Sequence, residues 1–218
     1  MISNQSYKKL FESVFELYNL PENKSKLLFH GWHHINFVHN MSIKFAESID
    51  ARIDMVASAA LVHDLNYIFT DKLEPEAANA KIQEYLEMSD FSPEDTSFIL
   101  GVIEDAHTEY RENRTLSLEA QALSDADTLF KSLPTTPILF ASKFLTQNKY
   151  DIGKLANKVV AEQKPLMDKG IYFYTDLARS QYSDWAETSL HMWENVLDSL
   201  SDPDVAELLD IARQNDII

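Results

Sequence analysis

Apolar residues recur at three- and four-residue intervals along nearly the whole chain, the spacing of one face of a helix. Residues 6–20 place Leu10, Phe11, Val14, Phe15 and Tyr18 on one face, and Pro21 ends the run before a polar connector at 22–26. Residues 34–48 carry His34, Val38, Met41 and Phe45, and residues 52–67 carry Ile53, Val56, Ala60, His63 and Tyr67. A loop is expected at 68–73. Pro75 then stands at a first helical position before 76–88. Ser92-Pro93-Glu94-Asp95 reads as a helix start, with a serine cap, a proline and acids in the first turn. That helix is expected to run to about Tyr110, with Leu100, Ile103, His107 and Tyr110 on one face, before a polar turn at 111–115. Residues 118–131 form the next, with Asp125 and Asp127. Pro134 and Pro137 punctuate the chain before 138–147; further helices are expected at 151–167, 175–200 and from Asp202-Pro203 to Gln214. No strand-period pattern exceeds four residues, and there is no internal repeat. The pattern predicts an all-α fold, and its short linkers predict one domain over residues 1–218.

Composition narrows the function. Hydrophobic residues make up 45% of the 218, enough for a substantial core. The absence of cysteine excludes disulfides, thiolate zinc sites and a cysteine nucleophile. No apolar run reaches the length of a membrane span. The first ten residues carry two lysines and no apolar core, so no secretory signal and a cytoplasmic location are expected. A formal net charge of −16 repels long nucleic acid. A small anion remains compatible where a metal reverses the local sign. Oligomeric state stays open, a homodimer included.

Against that background, Leu61-Val62-His63-Asp64 stands out, near the end of an apolar run from Met55 to Leu65. Aspartate is seldom buried unless it is paired or coordinates a metal. His34, His63 with Asp64, His107 and Asp127 all fall on apolar faces. Imidazole and carboxylate are the nitrogen and oxygen ligands of Zn, Mn, Fe, Co and Ni, and carboxylates also suit Mg. Periodicity does not choose between the two late aspartates. Leu118, Ala122, Asp125 and Leu129 make as good a face as Ala120, Leu123, Asp127 and Phe130. His33 reads as surface or supporting, and His39 and His191 as exposed or capping. The aromatic cluster of Tyr172, Phe173, Tyr174, Tyr182, Trp185 and Trp193 reads as packing.

In order, these residues resemble the HD superfamily of metal-dependent phosphohydrolases, named for its His-Asp doublet. His30-Gly31-Trp32-His33-His34 is similar to the His-Asn-x-x-His motif of cyclic-nucleotide phosphodiesterases, with Gly31 in place of Asn. Ala60-Leu61-Val62-His63-Asp64 with Tyr67 resembles the doublet helix of uncharacterised bacterial HD proteins of about this size. Ser124-Asp125-Ala126-Asp127-Thr128-Leu129 resembles the family's Ala-Asp-x-Leu. The resemblance covers roughly residues 28–133, which makes that stretch the motif-bearing core and 135–218 an accessory set of helices.

The resemblance implies an all-α fold, ligands His34, His63, Asp64 and Asp127, and a phosphomonoesterase or phosphodiesterase acting on a small phosphoester such as a nucleotide. It places His30 at the histidine that protonates the leaving oxygen. Dinuclear members carry two further histidines between the doublet and the last Asp, and here only His107 lies there. One divalent ion per chain (Mn, Mg, Co, Ni, Fe or Zn) is therefore expected, with Glu76 or Glu104 as conceivable substitutes toward a second. The same shortage argues against a di-iron oxygenase. Metal-activated water would be the nucleophile, Asp64 would orient or deprotonate it, and His30 or His107 would supply a proton. Lys81, Arg111, Arg114 and Lys131 are the cations that could meet the phosphate. The alternative is a catalytically idle, metal-holding domain that binds a nucleotide or a partner.

Overall fold

The computed structural model describes residues 2–69, 75–107 and 115–217, and at residues 75 and 76 the backbone alone. Among these, every regular element is a helix: α1 (Asn4–Asn19), α2 (Pro21–Lys26), α3 (Trp32–Ser48), α4 (Ile53–Val62), α5 (Asn66–Phe69), α6 (Pro75–Met88), α7 (Pro93–Ala106), α8 (Leu118–Ser132), α9 (Thr135–Asn148), α10 (Ile152–Asp168), α11 (Asp176–Leu200) and α12 (Pro203–Gln214). The all-α expectation is met. Capping explains several starts. Ser92 Oγ accepts from Asp95 N at 3.1 Å, Asp151 from Lys154 N at 2.8 Å, and Asp202 from Asp204 N at 2.8 Å. Pro21, Pro93 and Pro203 occupy first-turn positions, where the missing N–H costs nothing.

Three ends differ from the pattern. Residues 21–26 form a short helix, because Pro21 starts α2 as well as stopping α1. The doublet helix stops at Val62, and His63 to Leu65 turn before α5. Leu65 N donates to Val62 O and Ile68 N to Leu65 O, the tighter bonding of a 3₁₀ turn. α7 ends at Ala106, where Glu104 and Asp105 meet the negative end of the helix dipole. Tyr110, Arg111 and Arg114 lie outside the described residues, as does the side chain of Glu76.

The chain forms two compact units, Met1–Lys131 with Phe173–Ser183, and Ser132–Tyr172 with Asp184–Ile218. In the first, α4 is the central element. Every residue from Met55 to Val62 is buried, as expected of a helix apolar on all sides. Its small residues Ala57, Ser58, Ala59 and Ala60 admit close neighbours: α3 packs along it, α1 and α7 pack on it, and α6 packs on α7. In the second unit, Leu155, Ala156 and Trp193 form a buried cluster with Phe144, Leu145, Ile152 and Val160 packed against it. All six candidate site residues, His30, His34, His63, Asp64, His107 and Asp127, belong to the first unit. No helix among the described residues is long and apolar enough to cross a membrane.

Candidate metal centre

The first ligand position is fixed by a close approach. Leu27-Leu28-Phe29 leads from α2 to Gly31, whose extended backbone (φ −80°, ψ −174°) caps α3. A Cβ at Gly31 would lie 2.6 Å from the carbonyl oxygen of Leu27, so only glycine fits there without movement. His34 follows in the first turn of α3 and is fully buried. Its ring lies edge-on to Phe130 at 4.6 Å and beside Phe29 at 6.4 Å between centroids.

The doublet is positioned by the end of α4. His63 is the C-cap residue, and its Nδ1–H donates to Ala60 O at 2.9 Å. That bond places a proton on Nδ1 and turns Nε2 toward the centre. His63 Nε2 lies 3.3 Å from His34 Nε2. Asp64 Oδ2 lies 3.0 Å from His34 Nε2 and 3.4 Å from His63 Nε2. From α8, Asp127 Oδ1 reaches to 3.6 Å from His34 Nε2, while its Oδ2 accepts from Lys131 Nζ at 2.5 Å. One donor atom from each of His34, His63 and Asp127 lies within 4.8 Å of the others, so these three could hold a metal ion.

The donor chemistry fits a cation. The carboxylates of Asp64 and Asp127 bring acceptor oxygens, and His34 and His63 each turn Nε2 toward them. Donor atoms of His34, His63 and Asp127 this close together fit a positive ion between them. His34 Nδ1 is buried without a hydrogen-bond partner among the described residues, so this ring is steered by Phe29 and Phe130.

Electrostatics sharpen this. Burial alone would raise the Asp64 carboxyl, but the imidazoles of His63, His34 and His30 outweigh it and hold it far below the usual carboxylate range. Asp127 is likewise held low: burial opposes ionisation, and Lys131, His34 and His63 overcome it. Burial pushes His30 down to about 3, so this imidazole is neutral at neutral pH. It stacks on Tyr67 at 3.9 Å with the rings 6° from parallel, and its centroid lies 5.8 Å from that of His34. Burial, and then the charge of Asp64, raise the Tyr18 hydroxyl well above its ordinary value. It too lacks a hydrogen-bond partner among the described residues.

The remaining candidates separate. The Asp125 carboxylate is fully buried and accepts from Tyr174 N at 2.8 Å, Thr175 N at 2.7 Å and Thr175 Oγ1 at 2.8 Å. It anchors the segment entering α11, and Asp127 is the residue that meets the histidines. His107 is exposed at the end of α7 and is not among the clustered donors. His33 is exposed. His39 is buried, contrary to expectation, because Tyr7 Oη sits 2.5 Å from its Nε2 and the Phe11 ring packs edge-on to it. His191 is exposed and pairs with Glu194 at 3.0 Å. Phe29 and Tyr18 went unremarked in the sequence as parts of the centre. Three apolar residues closing a polar connector were the available signal for the first, and a tyrosine on an apolar face for the second.

No protein-family model matches this sequence, and no curated protein does. Solved structures share its fold. A protein of Lactobacillus plantarum, a structural genomics target, superposes with a TM-score of 0.66 at 15% identity, covering 92% of this chain and 97% of that one. Bacillus subtilis YpgQ in complex with ADP gives a TM-score of 0.57 at 21% identity over 91% of this chain and 99% of its own. Another structure of YpgQ gives 0.57 at 19% identity, covering 92% and 99%. At such identities the likeness establishes a shared helical fold over nearly the full length of each chain.

Proposed function

We propose that this chain is an HD-type, metal-dependent phosphohydrolase acting on a small phosphorylated compound, with nucleotides as the first class to test. The observation that carries the reading is the convergence of donor atoms from His34, His63 and Asp127, drawn from three separate segments, with Asp64 beside the two histidines at 3.0 and 3.4 Å. The ordered motifs that resemble the HD superfamily support it, as does the ADP bound by YpgQ, which shares the fold.

All four residues would hold the ion. When bound there, a divalent ion makes water a competent nucleophile near neutral pH and polarises a phosphoryl oxygen. The chain's own groups do the rest. Asp64, held ionised, would orient the water by accepting a hydrogen bond from it. His30, held neutral by burial, offers an N–H to the leaving oxygen from its place beside His34. With His30 neutral, proton delivery to the leaving group would fall to His107, exposed at the end of α7.

Purified protein should hydrolyse para-nitrophenyl phosphate or members of a nucleotide panel with Mn, Co, Ni or Mg. His63→Ala and Asp64→Ala should each abolish turnover, and unchanged turnover in either removes the proposal. A second reading, an idle metal-holding domain that binds a nucleotide, draws support from His30. An imidazole with its pKa near 3 is a poor proton donor at neutral pH. That reading expects nucleotide binding by calorimetry and no turnover with any metal.

A further inference from the structure

A centre built from two carboxylates in a chain of net charge −16 repels phosphate unless something reverses the local sign. A divalent ion cancels the charges of Asp64 and Asp127 and leaves none over. The surplus must come from a neighbouring side chain, and the structure sorts the candidates. Lys81 pairs with Glu84 at 2.7 Å and lies over the Phe69 ring at 5.4 Å. Arg111 and Arg114 lie outside the described residues. Lys131 touches the donor set itself, with Nζ 2.5 Å from Asp127 Oδ2.

We infer that Lys131 receives an oxygen of the substrate's phosphate at the metal-loaded centre. The inference rests on the reading proposed above. Asp127 divides its two oxygens, Oδ1 toward His34 and Oδ2 toward Lys131. A cation held at Oδ1 draws on the carboxylate's charge and loosens its grip on the ammonium. The Lys131 side chain is 43% exposed, so an anion coming from solvent meets it at the rim of the centre. Such a site would take phosphate monoesters, diesters or inorganic phosphate and discriminate against neutral analogues.

The test uses the full chain and two probes, Mn and then inorganic phosphate, each titrated by calorimetry. Wild type should bind Mn, and the loaded protein should bind phosphate. Lys131→Met should keep Mn affinity within about threefold and lose phosphate affinity by about tenfold or more, the size of one charge-assisted hydrogen bond. Lys131→Arg should restore most of it. Unchanged phosphate binding by Lys131→Met overturns the inference. A parallel loss of Mn affinity overturns it too, making Lys131 a positioning residue for Asp127. Failure of loaded wild type to bind phosphate also overturns it, whereas failure of wild type to bind Mn strikes the underlying reading.

Discussion

Asp125 and Asp127 show how finely one helical turn can divide labour. Two positions apart on α8, they point about 200° apart around its axis. Asp125 is closed in by three hydrogen bonds from residues 174 and 175, and Asp127 faces the histidines. Asp125→Ala should strand the buried N–H and hydroxyl of Thr175 and release the half-buried N–H of Tyr174. The expected loss is roughly 3 kcal/mol or more. For a chain of this length that lowers Tm by roughly 6–12 °C. Asp127→Ala should leave Tm within a few degrees and weaken Mn binding at least about tenfold. Melting curves and calorimetry on both variants check the assignment, and the opposite pattern would exchange the two roles. Periodicity could not have chosen between them. Both fall on apolar faces, and the groups that claim Asp125 lie 49 and 50 residues downstream.

The elements place His34 and His63 through their ends, and ends were the least legible part of the sequence. Hydrophobic spacing reports which face of a helix is buried and is silent on where the helix stops. It predicted α1, α3, α6 and α8 closely, and the Ser92 and Asp202 starts from their caps. It carried the doublet helix past Val62, because His63 and Tyr67 continue the stripe of Ile53, Val56 and Ala60. The break comes from a local competition that periodicity does not register, in which the His63 ring claims the Ala60 carbonyl. At the start of α3, Gly31 read in the sequence as a departure from a motif that has Asn there. The structure gives it a physical role, since any side chain would meet Leu27 O at 2.6 Å. Gly31→Ala should therefore cost about 1–3 kcal/mol in urea unfolding. It should also weaken Mn binding, because His34 lies only three residues beyond the displaced backbone. Wild-type stability and affinity in this variant would show that the turn yields freely.

At the scale of the whole molecule, the sequence made the fold class legible, and it named His34, His63 and Asp127, the three residues that could hold an ion together. The meeting of residues 34, 63 and 127 is a tertiary fact, bringing the start of α3, the end of the buried α4 and α8 together. That same burial predicts an acid response. Unfolded, His30 titrates near 6.5; folded, it titrates near 3. Between these values the unfolded chain binds the extra proton, so stability falls as pH falls through this window and is fully retained above it. His33 and His39, also lowered by burial, act in the same direction. Asp64 and Asp127, held below the unfolded carboxylate value of 3.8, add their loss only beneath that pH. Chelator-treated protein should therefore lose urea resistance steadily from pH 6.5 toward 4, with His30 contributing at most about 1.4 kcal/mol per pH unit. His30→Gln, which cannot titrate, should flatten that slope relative to wild type. An unchanged slope would mean that His30 reaches water and protonates freely in the folded chain. Neutral His30 would then no longer stand behind the idle-domain reading, and an ordinary imidazole acid would be restored to the hydrolase.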